Sequence, residues 1–124
     1  MIAVDSSSMI AFFAGESGAD LAAVRSALAL HQAVFPPVVV TELLSVSNID
    51  DELARVVRSV PRLEILDGYW ERAGDLRARL LNRGLKAALS DTLIAQSCID
   101  HGVALVTRDR DFRNFVHIAG LRLQ

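Results

Sequence analysis

The sequence contains one cysteine, one lysine and no long apolar run, and each scarcity excludes a class of protein. The single thiol, Cys98, can form neither an internal disulfide nor a cysteine-based zinc site, which favours a reducing compartment. No stretch reaches the roughly 20 apolar residues that a membrane-spanning helix needs. The amino terminus lacks a basic segment, and Asp5 interrupts its only apolar run. We therefore expect no signal peptide, no membrane partner and a cytoplasmic location.

Positive charge is also modest, because 13 Lys and Arg residues against 15 Asp and Glu residues give a formal net charge of −2. This balance argues weakly against a nucleic-acid partner, since such domains usually carry a basic face. Nearly all of the positive charge is arginine, however, and the planar guanidinium matches the geometry of a phosphate. The candidate RNA contacts are Arg77, Arg79, Arg83 and Arg108. For the first three, the alternative is a solvated helix face paired with Glu71 and Asp75.

The alternation of short apolar runs with amphipathic segments predicts an α/β fold, with a parallel sheet covered on both faces. The 124 residues show no linker, repeat or low-complexity segment, so we treat 1–124 as a single domain. The predicted strands are Ile2–Val4, Ala33–Phe35, Leu63–Leu66 and Ala104–Val106, with a short fifth strand near Ile118. The predicted helices are Met9–Ala14 behind the capping hydroxyls of Ser6 to Ser8, Gly18–His31, Asp50–Ser59, Tyr69–Arg83, and a helix capped by Ser90 and Asp91 that runs to about His101.

The segment around Glu42 is ambiguous. Val38 to Val40 favour a strand by propensity, whereas the preceding prolines favour the first turn of a helix.

Acidic residues follow two of the predicted strands, where ligands of parallel sheets bind. Asp5 comes after the first strand, and Thr107-Arg108-Asp109 comes after Ala104–Val106. Asp91 begins the helix that leads into that strand. Taken singly, each acid has a structural explanation as a cap, a turn former or a solvated residue.

Convergence of these acids with Glu42 would change that interpretation. Each pair of carboxylates about 4 Å apart costs on the order of 4 kcal/mol, which either protonation or a divalent cation must relieve. All-oxygen ligands favour Mg²⁺ or Mn²⁺, and the scattered histidines make zinc unsuitable. One or two such ions suit hydrolysis of a phosphodiester by a metal-activated water. Ser6 and Thr107 are candidates to orient the ligands by hydrogen bonds, with plain strand-end caps as the alternative.

Four segments resemble the motifs of PIN domains, in the family's order and spacing. They are Ile2–Ala11 with Asp5, Pro36–Leu44 with Glu42, Ser90–Ala95 with Asp91, and Leu105–Phe112 with Asp109. The ending Ile118–Leu123 is similar to that of VapC-like members. The resemblance implies a three-layer α/β/α fold whose central parallel sheet has four to five strands in the order 3-2-1-4-5. It also favours a helix around Glu42.

The resemblance further implies a site and an activity. Asp5, Glu42, Asp91 and Asp109 would bind Mg²⁺ or Mn²⁺ in an endoribonuclease, and Asp111 is either the cap of the short helix that carries Phe112 or the alternative fourth ligand. Such a protein is the toxin of a VapBC-type toxin–antitoxin pair, forms a homodimer and is covered by a cognate antitoxin. The alternative is a PIN fold that binds RNA or a protein partner without cleaving. A phospho-acceptor receiver domain fits poorly, because Asp5 has no acidic neighbour and Lys86 precedes a helix.

Overall fold

A three-stranded parallel sheet lies at the centre of the fold, in a computed structural model that describes all residues 1–124. The strands are β1 (Ile2–Val4), β2 (Ala33–Val34) and β3 (Ala104–Val106), in the spatial order β2-β1-β3. The chain leaves the central β1 first for β2 on one side and then reaches β3 on the other. Because such crossovers are right-handed, the helices that follow β1 and those that follow β2 cover opposite faces of the sheet.

Seven α-helices surround the sheet. They are α1 (Ser6–Phe13), α2 (Ala19–Ala29), α3 (Pro37–Leu44), α4 (Asp51–Ser59), α5 (Tyr69–Asn82), α6 (Leu89–His101) and α7 (Arg113–Ala119), and a 3-10 helix (Arg110–Phe112) leads into the last. Helix α1 packs on α2, helices α5, α6 and α7 pack on one another, and α3 contacts both α1 and α6. None of the helices has the length and apolar character needed to cross a membrane.

The sheet is buried because its residues are apolar and helices cover both faces. Ala3, Val4 and Leu105 have no exposed surface, and the largest fully buried side chains include Phe35 and Phe112. Burial of a large apolar side chain contributes roughly 2 kcal/mol to folding. This core holds β1 and β3 firmly side by side, and the segments that follow both strands are thereby fixed.

The predicted strand order is confirmed, but the two outer strands are reduced to single bridges. Arg62 pairs with Phe35 next to β2, and Leu123 pairs with Leu105 next to β3. The predicted strand Leu63–Leu66 is wrong. The N–H of Leu63 still donates to the carbonyl of Phe35 at 2.9 Å, but residues 64–66 are exposed and leave the sheet edge. An exposed segment gains nothing from the burial that stabilises strands of a parallel sheet.

The fifth strand predicted near Ile118 is also wrong, because Ile118 lies in α7. This helix buries Phe115 against Phe112, and Gly120 ends it in the left-handed conformation, with φ of 74°. The chain therefore reaches the sheet five residues later than predicted, at Leu123.

Two helices begin earlier than predicted, and the ambiguous segment is helical. Helix α1 begins at Ser6 and not at Met9, so the serines form its first turn instead of capping it. Helix α6 begins at Leu89, which places Asp91 in the first turn and not at the cap. The ambiguous segment around Glu42 is a helix, α3, with Pro37 at its first position, where proline lacks only an N–H that would have no helical partner.

Arg108 fastens the loop between α1 and α2 to the carboxyl end of β3. Its guanidinium donates to the carbonyl of Ser17 at 2.6 Å and forms ion pairs with Asp20 at 2.8 Å and with Glu16 at 3.4 Å. Gly18 makes this approach possible. Its φ of 150° is one that other residues rarely adopt, and an added Cβ would lie 2.7 Å from Nη2 of Arg108.

We predict that Gly18→Ala destabilises the protein by about 1 to 3 kcal/mol, because alanine is strained at this φ and its methyl group displaces Arg108. Urea unfolding followed by circular dichroism measures the change. Gly74→Ala is the matched control, since Gly74 is helical and nothing lies within 4 Å of an added Cβ. That substitution should stabilise the protein by about 0.5 to 1 kcal/mol. Equal effects at the two glycines would contradict this explanation.

Candidate metal centre

Five acidic side chains converge where β1 and β3 end, and we call them the acidic pocket: Asp5, Glu42, Asp91, Asp109 and Asp111. The N–H of Asp5 donates to the carbonyl of Val106 at 2.9 Å, which sets the two strand ends side by side. Oxygens of Asp91, Asp109 and Asp111 all lie within 4.8 Å of one another. The charges of Asp5 and Glu42 also act on Asp91. Of the four predicted ligands, Asp91 and Asp109 thus meet directly, together with Asp111, while Asp5 and Glu42 lie close enough for their charges to act on Asp91.

Two hydroxyl groups hold the carboxylate of Asp5, whose residue is only 4% exposed. Ser7 Oγ and Thr107 Oγ1 each donate to Oδ2 at 2.7 Å. Thr107 Oγ1 in turn accepts from the N–H of Asp109 at 3.0 Å, which links the segments after both strands. Since both hydroxyls bond to Oδ2, Oδ1 is left for another ligand.

Glu42 reaches the acidic pocket from α3. Ser6 Oγ, in the first turn of α1, donates to Oε1 of Glu42 at 3.1 Å. Burial raises the pKa of Glu42, and the charge of Asp5 adds to this, while hydrogen bonds from Ser6 and Ser90 lower it in part. The predicted contact of Ser6 with a pocket acid is thus present.

Sequence reasoning missed Ser7 as a partner of the acids. Ser7 follows Asp5 by two residues at a helix start, a spacing that allows a hydroxyl to reach back to the carboxylate. That local signal was available in the sequence.

Asp109 and Asp111 differ in their partners. Oδ1 of Asp109 accepts from the N–H of Asp111 at 2.8 Å and so caps the 3-10 helix. The capping role predicted for Asp111 is therefore wrong, because an N-cap carboxylate reaches forward to an N–H two residues later. Oδ2 of Asp111 instead pairs with Nζ of Lys86 at 2.9 Å.

Asp91 lies among the other four acids. Burial, followed in order of effect by the charges of Asp109, Asp5, Asp111 and Glu42, together raise the pKa of Asp91 to about 6. The pocket therefore concentrates negative charge that the protein itself relieves only at Asp111. Its donors are all carboxylate oxygens, without histidine or cysteine, and such a set fits Mg²⁺ or Mn²⁺.

The candidate RNA-binding arginines do not enter the acidic pocket. Arg77 Nε donates to the carbonyl of Ala87 and Arg79 Nη2 to that of Ile118, both at 2.9 Å. Arg108 is engaged with the α1–α2 loop, and Arg83 is exposed at the end of α5. The ion pairs considered with Glu71 and Asp75 are absent. Three of the four arginines thus brace the backbone.

Comparison with known proteins identifies the family. The model of the PIN domain matches residues 2–118, so the chain belongs to the PIN domain family. Its structure is similar to a chain of VapBC2 from Rickettsia felis, solved bound to a DNA fragment from their promoter. The two chains are 20% identical with a TM-score of 0.73, and the match covers 100% of this chain and 98% of the other. At this identity the likeness shows the fold. No curated protein matches at the level of sequence.

We predict that Asp91→Asn stabilises the metal-free protein at neutral pH by about 1 kcal/mol, a value reduced for solvent screening of a half-buried group. The pKa of Asp91 rises on folding from its usual 3.8 to about 6, so the folded state keeps a proton that the unfolded state releases. The free energy that ionised Asp91 costs the folded state is therefore absent below about pH 4. It grows as the pH rises to about 6 and is constant above that pH.

Urea unfolding in EDTA between pH 4 and pH 8 tests this prediction. The difference in free energy of unfolding between the wild type and Asp91→Asn should widen up to about pH 6 and then level off. A difference that does not change with pH would show that the cost of ionising Asp91, from its burial and from the neighbouring charges, is not the cause.

Proposed function

We propose that this chain is a metal-dependent endoribonuclease, the toxin of a VapBC-type toxin–antitoxin pair. In this proposal Asp5, Glu42, Asp91 and Asp109 bind one or two Mg²⁺ or Mn²⁺ ions. The observation that carries it is the convergence of carboxylates between the ends of β1 and β3, in a chain of the PIN domain family. The position agrees with the rule that ligands of parallel sheets bind at the point where the strand order reverses.

The proposed ligands stand on rigid elements, which suits electrostatic catalysis. Asp5 is fixed by two hydroxyls, Asp91 lies in the first turn of α6, and Asp109 is held by its own capping hydrogen bond. When bound, a divalent cation would polarise the scissile phosphate and lower the pKa of a water molecule. The chain's part is to hold the carboxylates in place beforehand, so that little reorganisation accompanies the reaction.

The same charges make RNA binding at this pocket depend on the cation. The five carboxylates outnumber the one ammonium, so the net negative charge of the pocket repels a phosphodiester. Arg77, Arg79 and Arg108 are engaged elsewhere. One or two divalent cations would cancel part or all of this negative charge and would let the phosphate approach. We therefore infer that metal binding precedes RNA binding at the acidic pocket.

We predict that the purified protein cleaves RNA with Mg²⁺ or Mn²⁺ and that EDTA stops the cleavage. Asp5→Asn and Asp91→Asn should each lower the rate at least about 100-fold, because each removes a charged ligand. Asp75→Asn is the control, since Asp75 is exposed on α5 outside the acidic pocket. The alternative of a binding-only PIN module predicts metal uptake without hydrolysis. Undiminished cleavage by both ligand variants would contradict the proposed site.

We predict that Ser7→Ala and Thr107→Val each weaken Mn²⁺ binding by about 10- to 100-fold, because hydrogen bonds to a metal ligand orient it. Isothermal titration calorimetry on metal-free protein measures this affinity without reference to activity. Ser59→Ala is the matched control, since its hydroxyl bonds only to a carbonyl on the exposed side of α4. Unchanged affinity in both test variants would show that the hydroxyls serve folding alone.

A cognate antitoxin, a homodimer and a cytoplasmic location complete the proposal. The similarity to a VapBC2 chain supports the antitoxin, and a basic side chain of such a partner would neutralise the acidic pocket. A small open reading frame immediately upstream, encoding a DNA-binding protein that co-purifies with this chain, would support the toxin assignment over a processing nuclease.

A further inference from the structure

Lys86, the only lysine of the chain, stands beside the acidic pocket on a fastened connection between α5 and α6. Asn114, from α7, donates to the carbonyl of Lys86 at 3.2 Å. Arg77, from α5, donates to the carbonyl of Ala87 at 2.9 Å, and Ala87 is buried. Because side chains of two helices hold this short segment, the position of the Lys86 backbone is fixed by the fold.

The ammonium of Lys86 is the one basic group that forms an ion pair within the acidic pocket. Nζ lies 2.9 Å from Oδ2 of Asp111, whereas the ion pairs of Arg72 and Arg108 join acids elsewhere. The hydrogen bond to Asp111 and the charges of Asp111, Asp109 and Asp91 raise the pKa of Lys86. The positive charge of Lys86 is thus felt by three of the five acids.

Distance alone does not decide whether Asp109 or Asp111 is the fourth ligand, because both lie within 4.8 Å of Asp91. Each acid also has one oxygen engaged. The partner of Asp109 is a neutral N–H, which leaves the full negative charge on that carboxylate. The partner of Asp111 is an ammonium, which cancels it. A divalent cation is attracted more strongly to the acid whose charge is not compensated.

We propose that Lys86 is a positioning residue of the metal centre: by pairing with Asp111 it withholds that carboxylate from the divalent cation and leaves Asp109 as the fourth ligand. The inference rests on the proposed function only in that the acidic pocket binds such a cation. Lys86 acts here through Asp111. Its positive charge also limits how tightly the pocket holds the cation.

The dissociation constant of Mn²⁺, measured by calorimetry on the metal-free full-length protein, tests this role. Lys86→Gln should tighten Mn²⁺ binding about fivefold, because it removes a nearby positive charge and releases Asp111. Lys86→Arg keeps the charge and should stay within about twofold of the wild type. Arg55→Gln removes an equal charge from an exposed position on α4 that forms no ion pair, and should have no effect. Lys86 is itself exposed, so its variants are expected to fold.

A double-mutant cycle with Asp109→Asn separates release of Asp111 from a general charge effect. In the wild-type background this substitution should weaken Mn²⁺ binding at least about 30-fold, since it removes a charged ligand. In the Lys86→Gln background the loss should be about fivefold or less, because the freed Asp111 takes the vacated place. A general charge effect would instead give the same fold loss in both backgrounds.

The outcomes distinguish this inference from the proposed function. Tighter binding by Lys86→Gln together with the smaller loss in the double variant supports the inference. Unchanged or weaker binding by Lys86→Gln, or equal losses in the two backgrounds, overturns the role of Lys86 while the nuclease proposal stands. Failure of the wild type to bind Mn²⁺ would overturn both.

Discussion

The parallel pairing of β1 with β3 is the constraint on which the rest of the site depends. The hydrogen bond from the N–H of Asp5 to the carbonyl of Val106 continues this pairing one residue beyond the strand. It brings the segment after β1 next to the segment after β3, although about a hundred residues separate them in the chain. Ser7, Thr107 and Asp109 can then share hydrogen bonds across that junction. Without this pairing the acids would be scattered surface residues.

The acids of the pocket are oriented almost entirely by neutral donors. Serine and threonine hydroxyls hold Asp5 and Glu42, and a backbone N–H holds Asp109. Such donors fix the position of a carboxylate while leaving its charge in place, as a site for a hard cation requires. The exception is Asp111, whose partner is an ammonium. That contrast in the kind of partner separates Asp111 from Asp5, Glu42 and Asp109.

The concentration of negative charge has an energetic cost, which the core must offset. Burial and four neighbouring charges act against ionisation of Asp91, so the ionised carboxylate destabilises the fold. A continuous core of apolar side chains from the strands and from helices on both faces provides the compensation. Arg108 and Arg77 add to it by fastening two loops beside the pocket. Both arginines donate hydrogen bonds to backbone carbonyls and so stabilise loops. Arginine-rich segments in a sequence are therefore ambiguous signals of RNA binding.

The sequence by itself determined the α/β class, the order of the strands, most helices, and four of the five converging acids. The class and most helices follow from local periodicity, and Asp5 and Asp109 from their places after predicted strands. The strand order and the inclusion of Glu42 follow from the resemblance of the sequence motifs to those of PIN domains. Only the tertiary structure decided the rest: that the outer strands shrink to bridges at Arg62 and Leu123, that Asp109 caps a turn while Asp111 pairs with Lys86, and that the arginines bind carbonyls. The physical reason is that a side chain's partner across the fold depends on packing between distant segments, which local pattern does not encode.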